Sequence, residues 1–284
     1  MIEISKNTKL INKFKNELNI EGYSAKTIET YSMYINLFNR YIKKDLIMVV
    51  NDDIIDYLSY LKINKKVKST TINLVLSAIK HFYGQFLKKD LDLNIKLPKK
   101  AKKIPMVLTT KEIKELIKAT KNTRNRLIIE FIFSTGVRIS ECMSMKINDL
   151  DFNEYTGKVV SGKGNKDRLI ILSKKWVGNY NKYLDNRNKD VNSEYLFCNS
   201  QGNQLSVDTV QKFLKISAKT ANITKNVSPH TLRHSFATSL LENDVNIRYI
   251  QQLLGHTNLN TTQIYTKVNT NKLKIIINPL DNID

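Results

Sequence analysis

The chain has 284 residues, long for one domain and comfortable for two, and 41% of them are hydrophobic, enough for real cores. Lys plus Arg number 46 against 26 Asp plus Glu; the net charge of +20 cannot be neutralised internally, so an acidic polymer, nucleic acid above all, is the expected partner. No run of 18 apolar residues is present to span a membrane, MIEISKNTKL has no apolar signal core, and Cys142 and Cys198 stand far apart in no metal-like spacing, as reduced thiols of a cytoplasmic protein would.

Residues 1–96 read as a helical bundle. SAKTIETYSMYINLFNRYIKK opens on Ser24, a candidate N-cap, and carries Ile28, Tyr31, Tyr34, Ile35 and Phe38 at three-to-four-residue spacing. A weaker helix precedes it around Leu10 to Leu18. DDIIDYLSYLK and STTINLVLSAIKHFYGQFLKK complete four short helices ending near Leu87. In LPKKAKKIP two prolines bracket Lys99, Lys100, Lys102 and Lys103, so residues 97–106 read as a basic linker. Those lysines suit a phosphate backbone, and they equally suit a solvated charge run.

A second domain, 107–284, restarts with TTKEIKELIKAT, where a threonine cap is supported by Glu112. NRLIIEFIFSTG ends at Gly136, a helix-terminating glycine, and VRISECMSM is a further helix. GKVVSGKGNKDRLIIL is the clearest β signal, two branched-aliphatic runs around a polar, glycine-containing turn. SVDTVQKFLKISAKT, SPHTLRHSFA, NIRYIQQLLG and NTTQIYTKV follow as helices between loops. The fold class is two-domain and mainly α, with one small antiparallel hairpin.

SPHTLRHSFA brings His230, Arg233 and His234 together. A zinc-protease helix needs H-E-x-x-H, but here Thr231 replaces the general base and Arg233 opposes a bound cation. A phosphate suits the segment better: Ser228 caps, Pro229 starts the helix, and His230 and Arg233 sit about 60° apart in its first turn, among free N–H groups. A surface arginine beside a satisfied histidine explains this segment equally well. Three more segments bear on the choice. Arg138 lies two residues after Gly136, with Glu141 placed to pair with it or orient it. Lys163 sits between two glycines at the hairpin tip, where neighbouring cations or burial could lower its pKa and suit it to donate a proton. His256 follows Gly255, and Tyr265 stands nine residues later.

Arg138, Lys163, His230-x-x-Arg233, His256 and Tyr265, in this order, resemble the tyrosine recombinase (λ-integrase-like) family. TGVRISE, GKGNKDR, HTLRHSFAT and LLGHTNLNTTQIYTKV are most similar to its Xer branch, including the single-protein archaeal kind. The resemblance implies a SAM-like core-binding domain (1–96), the linker, and a catalytic domain with a C-terminal tail (107–284). It makes Tyr265 the nucleophile, forming a 3′-phosphotyrosine and freeing a 5′-hydroxyl. Arg138 and Arg233 become the ligands of the non-bridging oxygens, Lys163 the general acid, His230 the general base, His256 a phosphate donor and Glu141 a supporting acid.

The same resemblance implies no metal, no ATP and no cofactor. It implies duplex DNA as partner and a homo-tetramer exchanging strands between two sites through a Holliday junction. The tail, with Leu273, Ile275, Ile276, Ile277 and Leu280, is expected to dock in trans on a neighbouring protomer, with folding back on its own catalytic domain as the alternative. A dif-like site and chromosome dimer resolution are the expected use, with integration or excision of a virus or mobile element as the alternative. A type IB topoisomerase shares much of the chemistry; a non-catalytic sequence-specific DNA-binding protein and a metalloprotease are the readings from other classes. Whether a second recombinase or a DNA translocase takes part stays open. His234, His81 and Trp176 read as packing residues. Lys267 departs from the histidine many relatives carry two residues past the nucleophile.

Overall fold

The computed structural model describes residues 2–89, 91, 95, 105–160, 167–187 and 191–255. The linker lysines Lys99, Lys100, Lys102 and Lys103, the hairpin lysine Lys163, His256, Tyr265, the expected helix in NTTQIYTKV and the C-terminal tail lie outside the described residues. The chain divides into two compact units, Met1–Lys102 and Lys103–Asp284.

The first unit contains α1 (Ile2–Ile20), α2 (Ala25–Ile42), α3 (Asn51–Ile63) and α4 (Ser69–Lys80). Helix α1 runs well beyond the stretch expected from Leu10 to Leu18: Ile11, Phe14 and Leu18 form its buried stripe, and one turn earlier buried Asn7 donates to Asn39 Oδ1 and Lys44 O and accepts from Leu46 N. Ser24 caps α2, accepting from Thr27 N at 3.2 Å, as its place before the apolar spacing suggests. Helix α4 passes into a π-helical turn, His81–Phe86, a wider winding that rotates the chain relative to an α-helix. Phe82 and Phe86 both meet Phe14, at 5.1 and 5.4 Å between ring centroids, while Tyr83 faces Phe38. Each fully buried ring contributes about 1.5–3 kcal/mol. His81 packs among Phe14, Tyr23 and Tyr31 and pairs its Nε2 with Glu21 at 3.0 Å, the packing role expected of it.

The second unit begins with α5 (Thr110–Ala119), whose capping box is the one read from the sequence: Thr109 Oγ1 accepts from Glu112 N, and Glu112 Oε2 accepts from Thr109 N at 2.7 Å. Next come α6 (Thr123–Thr135), α7 (Ile139–Ser144), α8 (Lys174–Arg187), α9 (Val207–Thr220), α10 (Pro229–Glu242) and α11 (Ile247–Leu254). Trp176 on α8 is buried, stacks on Tyr180 at 4.7 Å and donates its Nε1–H to Leu127 O of α6 at 3.0 Å, which answers for its packing role. Cys142 and Cys198 are both buried and free.

A three-stranded antiparallel sheet of β1 (Leu150–Asp151), β2 (Thr156–Val159) and β3 (Arg168–Ile171) lies in the order β1-β2-β3. The register pairs Val159 with Arg168 and Gly157 with Ile170. Ile170 is fully buried whereas Leu169 and Ile171 are 59% and 57% exposed, so even-numbered β3 residues face the core. A Lys158–Asp167 ion pair at 2.8 Å crosses the base of the hairpin whose intervening segment contains Lys163. Among the described residues, no helix is long and apolar enough to cross a membrane.

Candidate active site

Three chain reversals meet around the arginines. Gly136 ends α6 in the left-handed conformation at φ 65°, and a Cβ there would overlap the ring of Phe236 on α10. The tight turn leaves Arg138 at the N-cap of α7. Its backbone N–H donates to Glu141 Oε2 and its Nη1 to Glu141 Oε1, both at 2.7 Å. The pairing of Arg138 with Glu141 expected from their spacing is therefore formed. Arg138 Nη2 donates to Gly255 O at 3.2 Å, and its side chain remains 20% exposed.

Arg233 reaches the same place from α10. Ser228 caps that helix, accepting from Thr231 N, and Pro229 occupies its first turn, as expected. Arg233 is 4% exposed and donates Nη1 to Gly136 O at 2.6 Å and Nη2 to Leu254 O at 2.5 Å. These carbonyls close α6 and α11, where the helix dipoles are negative and carbonyls lack helical partners. A buried cation is stable there because it is hydrogen-bonded to both. Arg138 and Arg233 thus hold adjacent carbonyls, Gly255 and Leu254, and converge on the end of α11.

His230 lies one turn before Arg233. More than a third of its surface reaches solvent, yet partial burial first, and the Arg233 and Arg138 charges second, hold its pKa below 6.5. A neutral imidazole can accept a proton at neutral pH. His234, next along α10, is lowered to about 4 by burial and by His230 and Arg233, so it too is neutral.

Sequence reasoning did not single out Arg168, which completes the cluster. It donates Nη1 and Nη2 to Glu141 Oε1 and Oε2 at 2.9 and 2.5 Å, a bidentate fork, and Nε to Leu253 O at 2.9 Å. Burial pushes the Glu141 carboxyl up, but the Arg168 fork and the Arg138 N–H outweigh it and hold the pKa at about 2. No sequence signal marked it, because the residues after Arg168 are apolar on both faces of β3; the structure shows that Arg168 shares the inward face with Ile170, where an arginine requires a partner.

Structure brings together Arg138, Glu141, His230 and Arg233. Lys163, His256 and Tyr265 lie outside the described residues, although their chain neighbours Arg168 and Gly255 lie in the cluster. Chemically, two arginines beside a neutral histidine suit an anion that gains charge in its transition state.

The phage integrase family model matches residues 106–272, and the phage integrase N-terminal SAM-like domain matches residues 10–93. The chain is 38% identical over 272 residues to the tyrosine recombinase XerA of Pyrococcus horikoshii, covering 94% of this chain and 92% of that one. A crystal structure of XerA recombinase, 35% identical, covers 95% of this chain and 96% of its own with a TM-score of 0.56. A pre-cleavage complex of XerH site-specific recombinase bound to difH substrate is 26% identical, covers 87% of this chain and 77% of its own, and has a TM-score of 0.71. Family likeness therefore spans both units and includes the segment in which the arginines meet, and the chain belongs to the phage integrase family as a tyrosine recombinase that cuts and rejoins DNA at specific sites.

Proposed function

We propose that Tyr265 attacks a DNA phosphodiester within the Arg138–Arg233 cluster. The tyrosine oxygen bonds to phosphorus, the 5′-oxygen leaves, and a 3′-phosphotyrosine remains. His230 takes the tyrosine proton and Lys163 supplies one to the leaving oxygen. Arg138, Arg233 and His256 hold the non-bridging oxygens, whose charge grows in the transition state. The observation that carries this reading is the anchoring of both arginines on the neighbouring carbonyls Leu254 and Gly255, beside His256 and ten residues before Tyr265. The phosphotyrosine conserves the bond energy, so a 5′-hydroxyl from a second duplex reverses the step without ATP or metal.

Strand exchange between two duplexes needs four such cleavages, which a tetramer on two sites supplies through a Holliday junction. The XerA and XerH likenesses support a dif-like target and chromosome dimer resolution, in the cytoplasm. Tyr265→Phe tests the chemistry: it should bind the DNA site with unchanged affinity and form no covalent adduct on a nicked suicide substrate. An SDS-stable protein–DNA band from this variant refutes the assignment.

A further inference from the structure

One buried cation of the cluster has no part in the chemistry above. Arg168 opens β3, five residues after Lys163, and its side chain is 8% exposed. Glu141 accepts two bonds from it and two from Arg138, so one carboxylate serves two guanidiniums. The three side chains sum to one positive charge. Arg168 is the enclosed cation and Arg138, at 20%, the more exposed one. The surplus charge therefore faces outward on Arg138. Without Arg168, buried Glu141 would keep Arg138 as its sole cation among the described residues, and a phosphate would compete with a carboxylate for that guanidinium. Contact with the end of α11 is equally close. A Cβ on Gly255 would lie 2.8 Å from Arg168 Cδ, so this side chain needs a glycine beside it.

We infer that Arg168 is a positioning residue for strand cleavage: it takes up the Glu141 carboxylate so that Arg138 keeps a free positive charge for the phosphate, and through Leu253 O it ties the end of α11 to the base of the Lys163 hairpin. The inference rests on the phosphate role of Arg138 proposed above.

The test uses the full chain, single-turnover cleavage of a suicide substrate and separate measurement of site binding. Arg168→Met should slow cleavage on the order of 100-fold, the loss typical when a preorganised donor to developing charge is misdirected. Affinity for the site should change less than about threefold, since the other phosphate contacts remain. Adding Glu141→Gln should restore at least about tenfold, because no carboxylate then claims Arg138; a merely structural arginine gives no such recovery. A 5′-bridging phosphorothiolate, which needs no general acid, should leave the Arg168→Met defect in place. Cleavage by Arg168→Met within about threefold of wild type, no recovery in the double variant, or full rescue by the phosphorothiolate each overturns the inference.

If Arg168→Met does not fold, Arg168→Lys carries the test. It retains the charge without the fork and should cleave within about tenfold of wild type; a folded, DNA-binding Lys variant as inactive as Arg138→Ala overturns the inference. Failure of the wild-type chain to form any adduct counts against the proposed site chemistry instead.

Discussion

Glu141 should make the stability of the catalytic unit fall with acid in a predictable window. Its carboxyl is held at about 2 against a usual 4.5. A depressed acid contributes stability that is complete above its unfolded pKa and is lost as pH falls toward the folded one. The drop corresponds to about 3 kcal/mol near neutral pH, at about 1.36 kcal/mol per pH unit. By pH 3.5 about 1.4 kcal/mol of that should be gone. Glu141→Gln has no titrating group here, so the difference between wild type and variant isolates Glu141 from the other acids, which titrate in both proteins. The assay is urea unfolding followed by fluorescence of Trp176, the chain's single tryptophan, which is buried in the catalytic unit. Wild type should be the more stable at pH 7, and the gap should narrow by about 1.4 kcal/mol at pH 3.5. A gap constant to within about 0.5 kcal/mol, the usual scatter of additive effects, would show that the Arg168–Glu141–Arg138 network does not hold the carboxyl as described.

Lys163→Ala should cleave ordinary DNA slowly but recover on a 5′-bridging phosphorothiolate, whose thiolate leaves unprotonated, whereas Arg138→Ala should fail on both; equal failure of Lys163→Ala on both substrates removes it as general acid. Gly136→Ala forces a side chain onto a φ of 65° and into the Phe236 ring, at a cost of about 1–3 kcal/mol; an unchanged Trp176 urea midpoint contradicts this. Truncation after Asn269 should leave a soluble monomer that binds single sites but fails to exchange strands between two; normal recombination, or a monomer that aggregates or unfolds, means the tail does not dock in trans.

Local chemistry was the legible part of this chain. Ser24, the Thr109–Glu112 box, Gly136 and Ser228–Pro229 mark helix ends through groups within four residues of one another, and each end lies where those groups put it. The Arg138–Glu141 pair was legible for the same reason. What escaped depends on contacts distant in sequence. RLIIL is apolar at every position after the arginine, so the alternation that turns Arg168 inward cannot be seen until Ile170 is found buried and Leu169 exposed. Helix α8 is not among the expected elements. Gly178, Asn179, Asn181 and Asn186 weaken its propensity, and burial of Trp176, Val177 and Tyr180 overrides it. Nothing local announces the π-helical turn at His81, which serves the ring packing around Phe14.

The clamped end of α11 has a polymer-physics consequence. Leu253, Leu254 and Gly255 each surrender a carbonyl to a different arginine, so the chain toward Tyr265, the nucleophile proposed above, leaves from a fixed post. Ten residues separate Gly255 from Tyr265, and a strand of that length stretches at most about 33–36 Å. On the chemistry proposed above, the Tyr265 Cα is leashed within that radius of Gly255, whose carbonyl Arg138 holds, and attack is an intramolecular event instead of a diffusive encounter. Closure entropy changes only slowly with the length of a flexible segment, and stiff segments deviate strongly from that rule. Substitutions that stiffen the leash, a proline between His256 and Tyr265 for instance, should therefore alter the cleavage rate more than insertion of a flexible glycine, even though neither touches the scissile phosphate.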